Sequence, residues 1–144
     1  MTTLLTTHIT LEEMTESQTA TRNGLSNVPD RSTYYNLVKT AEMLEAVRSL
    51  LGNRPILISS GYRSPAVNAA VGGARSSAHT FGKAADFICP GYGRPIDVCR
   101  AIQNSGLMFD QLIHEFNSWC HLAWDENMRQ QTLTINNNGT VYGL

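Results

Sequence analysis

The stretch that decides the fold reads Ser77-Ala78-His79-Thr80-Phe81-Gly82-Lys83-Ala84-Ala85-Asp86. In this stretch a histidine is followed, across a turn that contains glycine, by an aspartate in a short strand-like run. Thirty-five residues after Asp86, a second histidine, His121, lies inside another apolar run, Trp119–Ala123. Two imidazoles and one carboxylate make a set of three metal ligands that leaves a fourth tetrahedral position free, as catalytic zinc sites do.

The same residues also have a purely structural interpretation. A histidine in an apolar run is usually a hydrogen-bonded core residue, and Asp86 fits the role of a turn cap equally well. The spacing of these residues alone leaves both interpretations open.

Further motifs extend the pattern on either side. The pattern Ser-x-His-x-x-Gly-x-Ala-x-Asp is preceded by Ser59-Ser60-Gly61-Tyr62-Arg63-Ser64 and followed by Trp119-Cys120-His121. In this order the motifs resemble the metallo-DD-peptidases, a family of zinc D-alanyl-D-alanine carboxypeptidases and phage endolysins whose fold is shared with the hedgehog signalling domain. The resemblance extends from about His8 to about Arg129. It implies one zinc ion per chain, bound by His79, Asp86 and His121, and the stem peptide of bacterial peptidoglycan as substrate.

A zinc peptidase also needs a base that accepts a proton from water and passes it to the leaving amine. Glu115, six residues before His121, and His114 are both candidates. A two-residue loop, Asn117-Ser118, pairs His114 with His121 on one face, whereas an odd loop of three or five residues pairs Glu115 with His121. Because Asn-Ser lacks the glycine that favours the tight turn, we predict the odd loop and Glu115 as the base. The alternative is that Glu115 is a solvated strand residue without a catalytic role.

The resemblance also bears on this choice. The hedgehog-like branch has a glutamate six positions before its last ligand, as Glu115 is here. Some other branches place the acidic residue three positions before that ligand, where this chain has Ser118.

Three further residues are predicted to line the site. Arg63, in the turn after Ser59-Ser60, is suited to bind a substrate carboxylate or to stabilise an oxyanion, and its alternative is a surface arginine with structural hydrogen bonds. Ser77 is predicted to hold the His79 segment by hydrogen bonds and to contact substrate. Trp119, two residues before His121, shares its face and lines either the cleft or the core.

Composition excludes several classes of protein. The chain has 144 residues, 42% of them hydrophobic and 16% charged, which is ordinary for one globular domain and argues against disorder. A net charge of −1 gives no electrostatic basis for binding nucleic acid or an anionic membrane. No apolar run is long enough to span a bilayer. Residues 1–8 lack the basic and apolar segments of a secretory signal, so we expect none.

The cysteines form no metal-binding motif. Cys89, Cys99 and Cys120 are odd in number and contain no CxxC pair, so we predict reduced, buried side chains. Cys120 stands beside His121, but alternation along a strand directs it to the opposite face, away from the metal.

The pattern of helix and strand signals predicts a single α+β domain, residues 1–144, with helices packed on a central, mainly antiparallel sheet like that of the hedgehog and DD-peptidase fold. A capping box at Thr10 to Glu13 predicts one helix that ends near Gly24. The further helices are expected at 32–51, 66–71 and 96–105, and the strands at 56–60, 84–88, 109–116, 119–123, 132–135 and 140–142.

We therefore predict a monomeric zinc metallopeptidase that hydrolyses peptidoglycan stem peptides, as a D-Ala-D-Ala carboxypeptidase or an endopeptidase. Without a signal peptide, it fits a phage or prophage endolysin that is made in the host cytoplasm and reaches the wall in the periplasm by separate means. Two alternatives remain: a non-catalytic binding module stabilised by zinc, and a virion-associated wall-degrading protein.

Overall fold

The two longest helices pack against one side of a six-stranded sheet, and the predicted site lies on the other side. The computed structural model describes residues 2–144. Its helices are α1 (Leu11–Thr15), α2 (Gln18–Asn23), α3 (Arg31–Leu50), α4 (Pro65–Ala70) and α5 (Pro95–Asn104), with a 3₁₀ turn at Ala78–Phe81. Its strands are β1 (Leu57–Ser60), β2 (Ala84–Ile88), β3 (Gln111–Glu115), β4 (Trp119–Ala123), β5 (Gln131–Asn136) and β6 (Gly139–Tyr142). None of the helices described is long and apolar enough to cross a membrane.

The sheet has the strand order β1-β2-β4-β3-β5-β6. Neighbouring strands are antiparallel except for β3 and β5, which are parallel. The prediction of an α+β fold with a mainly antiparallel sheet is therefore confirmed.

Alternation along the strands gives the sheet two different faces. On one face, Phe87, Cys120 and Leu122 belong to the hydrophobic core. On the other face, Asp86 and His121 stand directly opposite each other on β2 and β4. Cys120 is therefore directed away from His121, as predicted, because successive side chains of a strand point to opposite faces.

Helices α3 and α5 contribute much of the core. The apolar residues of α3 recur at helical spacing, and all of the predicted positions are buried: Leu37, Ala41, Leu44, Val47 and, just after the helix, Leu51. Helix α5 packs against β3 and β4. All three cysteines are buried and free, and the sulfur atoms of Cys99 and Cys120 lie 2.8 Å apart between α5 and β4.

The N-terminal helix is shorter than the sequence predicted. The capping box is present, since Glu13 N donates to Thr10 Oγ1 at 3.0 Å and Thr10 N donates to Glu13 Oε2 at 2.9 Å. The helix ends at Thr15, however, and a second helix begins after Ser17, whose hydroxyl accepts from Ala20 N. The prediction of one continuous helix was wrong because Ser17 caps a new helix at that point. The second helix ends at Gly24, which has φ +65°, and this position agrees with the predicted end of the helix.

The loop between β3 and β4 has three residues, 116–118, so the prediction of an odd loop is confirmed. The register differs in detail, because Ile113 and not Glu115 stands directly opposite His121. Glu115 pairs with Trp119, two positions along, since direct pairing with His121 requires a five-residue loop. The alternation of side chains still places Glu115 on the same face as His121.

The turn itself uses two residues in the left-handed region. Phe116 and Asn117 both have φ +53°, and Ser118 N donates to Glu115 O at 3.0 Å. Left-handed values at both central positions match the right-handed twist of the flanking strands. The chain therefore makes this tight turn without glycine.

Thr40 joins α3 to the two segments that flank the sheet. Its hydroxyl donates to Gly82 O at 2.6 Å and accepts from Trp124 Nε1 at 2.8 Å. Gly82 ends the 3₁₀ turn with φ +71°, and Trp124 follows β4. Because the hydroxyl is fully buried, neither partner has water as a substitute.

We predict that Thr40→Val lowers the free energy of unfolding by about 1–3 kcal/mol, because it leaves a buried donor and a buried acceptor without partners. Thr21→Val, on the exposed face of α2, is the matched control and is expected to stay within about 0.5 kcal/mol. Urea unfolding of the two variants measures the difference. Equal stability of the two would show that the Thr40 hydrogen bonds contribute nothing net.

Candidate metal centre

Three donor atoms from three separate segments converge on one face of the sheet. His79 Nε2 lies 3.2 Å from Asp86 Oδ1 and 3.2 Å from His121 Nδ1, and His121 Nδ1 lies 2.9 Å from Asp86 Oδ1. All three side chains are buried. Within the described part of the chain, these residues form a group whose ligand atoms all lie within 4.8 Å of one another.

The 3₁₀ turn and a backbone carbonyl orient His79. Its Nδ1 lies 2.7 Å from Gly61 O, and a carbonyl only accepts, so Nδ1 carries the proton. The lone pair of a neutral His79 ring is therefore at Nε2, the atom that faces Asp86 and His121. A hydrogen bond from the other ring nitrogen is the usual way in which a protein fixes a histidine ligand.

Gly61 is a functional residue that the sequence analysis did not single out. A Cβ at this position would collide with the backbone of Met14, so the chain at α1 approaches Gly61 closely. Tyr62 N also donates to Met14 O at 2.7 Å. The glycine of the motif Ser-Gly-Tyr-Arg was a signal for a close backbone approach, but its partners, Met14 and His79, lie far away in sequence.

Asp86 and His121 are positioned by the sheet itself. They are direct partners across β2 and β4, where side chains on one face are about 5 Å apart at Cβ. Burial alone would raise the pKa of Asp86, but attraction to the His79 and His121 rings lowers it well below its usual range. Asp86 is thus held as a carboxylate, the form that binds metal.

Glu115 stands beside this group. Its Oε1 lies 3.7 Å from His121 Nδ1, and its side chain is largely buried. Burial raises the pKa of Glu115, and repulsion from Asp86 adds to the effect, while His121 and Arg63 oppose it. A glutamate with a raised pKa is typical of a general base that works near neutral pH.

Arg63 lies on the other side of the group. Its backbone N donates to His79 O at 3.1 Å, and Nη2 donates to Ser77 Oγ at 3.4 Å. Nε is buried and has no hydrogen-bond partner among residues 2–144. Burial lowers the pKa of Arg63, whereas the carboxylates of Asp86 and Glu115 raise it. The guanidinium thus has donor capacity to spare for a ligand.

The remaining predicted residues fall on both sides of the sheet. Ser77 caps the 3₁₀ turn by accepting from His79 N at 3.3 Å, which is the structural role predicted for it. Ser77 and Trp119 both line the cleft over the metal-binding group. His114 pairs with Cys120 and shares its face, so it lies away from the group, and burial lowers its pKa.

The donor set fits a zinc ion. Two neutral imidazole nitrogens and one carboxylate are ligands that zinc prefers, and three protein ligands are typical of its catalytic sites. The buried Asp86 and the oriented His79 ring meet the needs of such a site for a deprotonated ligand and a fixed tautomer. The arrangement is therefore suited to hold one metal ion beside a base and an arginine.

Comparison with known proteins agrees with this geometry. The family model described as Peptidase M15 matches residues 7–123, more than half of the chain. A segment of 51 residues is 43% identical to a zinc D-Ala-D-Ala carboxypeptidase of Streptomyces albus G. That segment covers 35% of this chain and 20% of the relative, so the match spans about a fifth of the relative's length.

We predict that the protein binds about one zinc ion per chain, and that His79→Ala and His121→Ala each lose the metal and lower the melting temperature, because metal binding adds to folding free energy. His8→Ala, outside the site, is the matched control and should keep its zinc. Elemental analysis and thermal unfolding with and without a chelator provide the measurements. A zinc content near zero in both native and zinc-soaked protein would contradict the site.

Proposed function

The chain belongs to the peptidase M15 family, and from this membership we propose that it is a zinc peptidase that hydrolyses the stem peptides of bacterial peptidoglycan. The observation that carries the proposal is the convergence of His79, Asp86 and His121 with a glutamate 3.7 Å from His121. The resemblance of one segment to a zinc D-Ala-D-Ala carboxypeptidase supports both the metal and the substrate class.

His79, Asp86 and His121 would hold the zinc ion through Nε2, Oδ1 and Nδ1, the atoms that converge. When bound, zinc supplies Lewis acidity, which polarises a peptide carbonyl and lowers the pKa of water. The remaining chemistry falls to side chains of the chain itself.

Glu115 is proposed to move the proton. One carboxylate oxygen accepts a proton as water adds to the scissile carbonyl carbon and a C–O bond forms. The same oxygen then donates that proton to the amide nitrogen as the C–N bond breaks, so that the amine leaves neutral. The raised pKa of Glu115 suits both transfers, because the group must accept and then release one proton near neutral pH.

Arg63 is proposed to bind the substrate or to stabilise negative charge on the carbonyl oxygen. Its free buried Nε and the forked guanidinium favour a two-point contact with an oxyanion or a carboxylate. Ser77, which accepts from Arg63 Nη2, would keep the guanidinium in place, and Trp119 would form a wall for the peptide.

The arrangement favours hydrolysis over a non-catalytic zinc module. Such a module needs the three ligands alone, whereas this chain also places Glu115 and Arg63 at the site. Incubation with purified peptidoglycan, followed by mass spectrometry of the products, tests turnover directly. Absence of new amine and carboxyl termini with zinc-loaded protein would favour the binding module.

We further propose that the protein is a phage or prophage endolysin that acts on the wall in the periplasm. The resemblance to a family that includes phage endolysins supports this role, and a virion-associated enzyme is the alternative. Addition of the protein to cells with a permeabilised outer membrane should clear the suspension. Neighbouring lysis genes, rather than tail genes, would distinguish the endolysin from the virion component.

We predict that Glu115→Gln folds, binds zinc normally and loses roughly two to four orders of magnitude in turnover, because the amide cannot accept the proton. His114→Ala, on the opposite face of β3, should retain turnover per zinc-loaded molecule. Initial rates on a soluble muropeptide, normalised to zinc content, measure both. If Glu115→Gln stayed active and His114→Ala lost activity, the result would contradict Glu115 as the base and place the base on the opposite face of β3.

We predict that Arg63→Lys loses catalytic efficiency while its zinc content stays normal, because lysine keeps the charge but not the planar, two-point contact. Measured kcat/KM for a soluble muropeptide provides the test. If the kinetics equalled those of the unmodified protein, Arg63 would have only a structural role, through its backbone contact with His79 and its side-chain contact with Ser77.

A further inference from the structure

Arg63 is held at the cleft mainly through its backbone. In the part of the chain that the structure describes, its side chain makes one hydrogen bond, from Nη2 to Ser77 Oγ at 3.4 Å. This bond is longer than the usual N–H···O distance of roughly 2.7–3.2 Å. An arginine side chain has many rotamers, so one long bond fixes its direction poorly. The position of the guanidinium therefore depends on how firmly the backbone at residue 63 is held.

Asn27 makes hydrogen bonds to this backbone on both sides of Arg63. It is half-buried and lies in the irregular segment 25–30 between α2 and α3. Its Nδ2 donates to Tyr62 O at 3.0 Å, and its Oδ1 accepts from Ser64 N at 2.7 Å. One side-chain amide thus contacts the chain immediately before and immediately after Arg63.

These two contacts hold the two peptide units that meet at Arg63. Tyr62 O belongs to the peptide unit before the Arg63 Cα, and Ser64 N belongs to the unit after it. Arg63 N, in the first of these units, also donates to His79 O at 3.1 Å. Because a peptide unit is planar, holding both units fixes φ and ψ of Arg63 and with them the direction of its Cα–Cβ bond. The side chain therefore leaves the backbone in a defined direction at the cleft that it lines.

The same amide connects this turn to the N-terminal segment. Asn27 Nδ2 also donates to Thr15 O at 2.8 Å, at the end of α1, where carbonyl groups have no partner inside the helix. The preceding residue adds a contact, since Ser64 Oγ donates to Ser26 O at 2.9 Å. Nitrogen and oxygen of the Asn27 amide are thus both engaged, and a reversed amide would set its oxygen against two carbonyl oxygens.

Asparagine is suited to this position by its chemistry. It carries donors and an acceptor on one short, planar group, which is the combination that these contacts use. Aspartate would keep an acceptor for Ser64 N but would set a carboxylate against Tyr62 O and Thr15 O. Serine and alanine are too short to reach both peptide units.

We propose that Asn27 is a positioning residue for Arg63: its amide fixes the backbone on both sides of Arg63 and so keeps the guanidinium aligned with the substrate. The proposal rests on the peptidase function proposed above, in which Arg63 binds the substrate or stabilises the oxyanion. Asn27 does not line the cleft over the metal-binding group, so it acts through Arg63.

The first test is a double-variant cycle. Asn27→Ala, loaded with zinc, is expected to lower kcat/KM for a soluble muropeptide at least about tenfold, because a displacement of about 1 Å in a group that orients substrate costs this much or more. In an Arg63→Ala background the same substitution should change kcat/KM by less than about twofold, since the residue through which it acts is gone. An undiminished effect in that background would overturn the proposal.

The separate kinetic parameters give this test a second readout. Asn27→Ala should change whichever of kcat and KM is changed by Arg63→Ala, and to a smaller extent. A change confined to the other parameter would contradict the positioning role, because Asn27 would then act on a different step.

Two controls exclude effects of the substitution itself and of lost stability. Asn136→Ala removes an asparagine from the exposed hairpin of β5 and β6 and should leave kcat/KM unchanged. Val47→Ala removes core packing on α3, outside the cleft, so it should lower the melting temperature and keep kcat/KM. An equal loss of kcat/KM in Val47→Ala and Asn27→Ala would attribute the effect to stability and overturn the proposal.

Amide hydrogen exchange measures the positioning without turnover. In zinc-loaded Asn27→Ala, exchange at Arg63 N–H and Ser64 N–H is expected to accelerate at least about tenfold, while Leu44 N–H in the middle of α3 keeps its rate. Unchanged protection of Arg63 N–H would overturn the proposal. If Leu44 N–H also loses protection, the comparison is repeated with the milder Asn27→Ser, and a uniform loss of protection in that variant would overturn it as well.

Failure of this inference is distinguishable from failure of the function beneath it. If the unmodified, zinc-loaded protein cuts no peptide, the peptidase function fails, and the role of Asn27 in it fails as well. If that protein is active and Asn27→Ala matches it in kcat/KM, the role of Asn27 alone is overturned.

Discussion

A buried carboxylate with two imidazole nitrogens about 3 Å away is the interaction on which the rest of the structure depends. Asp86 lies in the interior, where an isolated charge is very costly. His79 and His121 are the polar groups that face this charge, and a cation bound between the three side chains would compensate it. Every element around the group serves this arrangement: the pair of strands β2 and β4 sets Asp86 against His121, and the 3₁₀ turn places His79 above them. Binding of a metal cation at this position would therefore stabilise the buried carboxylate.

Much of this arrangement could be predicted from the sequence, for identifiable reasons. The three ligands stand in short motifs whose strand period fixes their faces, and the missing glycine in the hairpin correctly indicated an odd loop. The length of that loop could not be predicted, because Phe116 adopts a left-handed angle that its residue type does not favour. The break at Ser17 was missed because one residue served equally well as helix interior and as cap. Gly61 was missed because its two partners, His79 and the chain at Met14, come from distant segments.

The N-terminal segment is more than a packing element. Helix α1 contacts the turn whose Gly61 carbonyl holds His79, and the break after it forms one wall of a cavity over β1 that Arg63 and Asp86 also line. One short segment thus influences both the orientation of a predicted metal ligand and the shape of the cavity over β1. The sequence predicted these helices only as elements packed on the sheet, because helical periodicity indicates which residues are buried and not which segments the ends of a helix contact.

The separation in sequence of the site's contacts has a consequence for how the chain folds. His79 and Asp86 are seven residues apart, but Asp86 and His121 are 35 apart, and His79 and His121 are 42 apart. Contacts of this kind close large loops, whose entropic cost must be met before the contact forms, and such topologies fold slowly. We therefore expect the complete ligand set to assemble only once β2 and β4 have paired. Since the unfolded chain lacks the set, a cation binds mainly to the native state and shifts the folding equilibrium through mass action rather than by nucleating the fold.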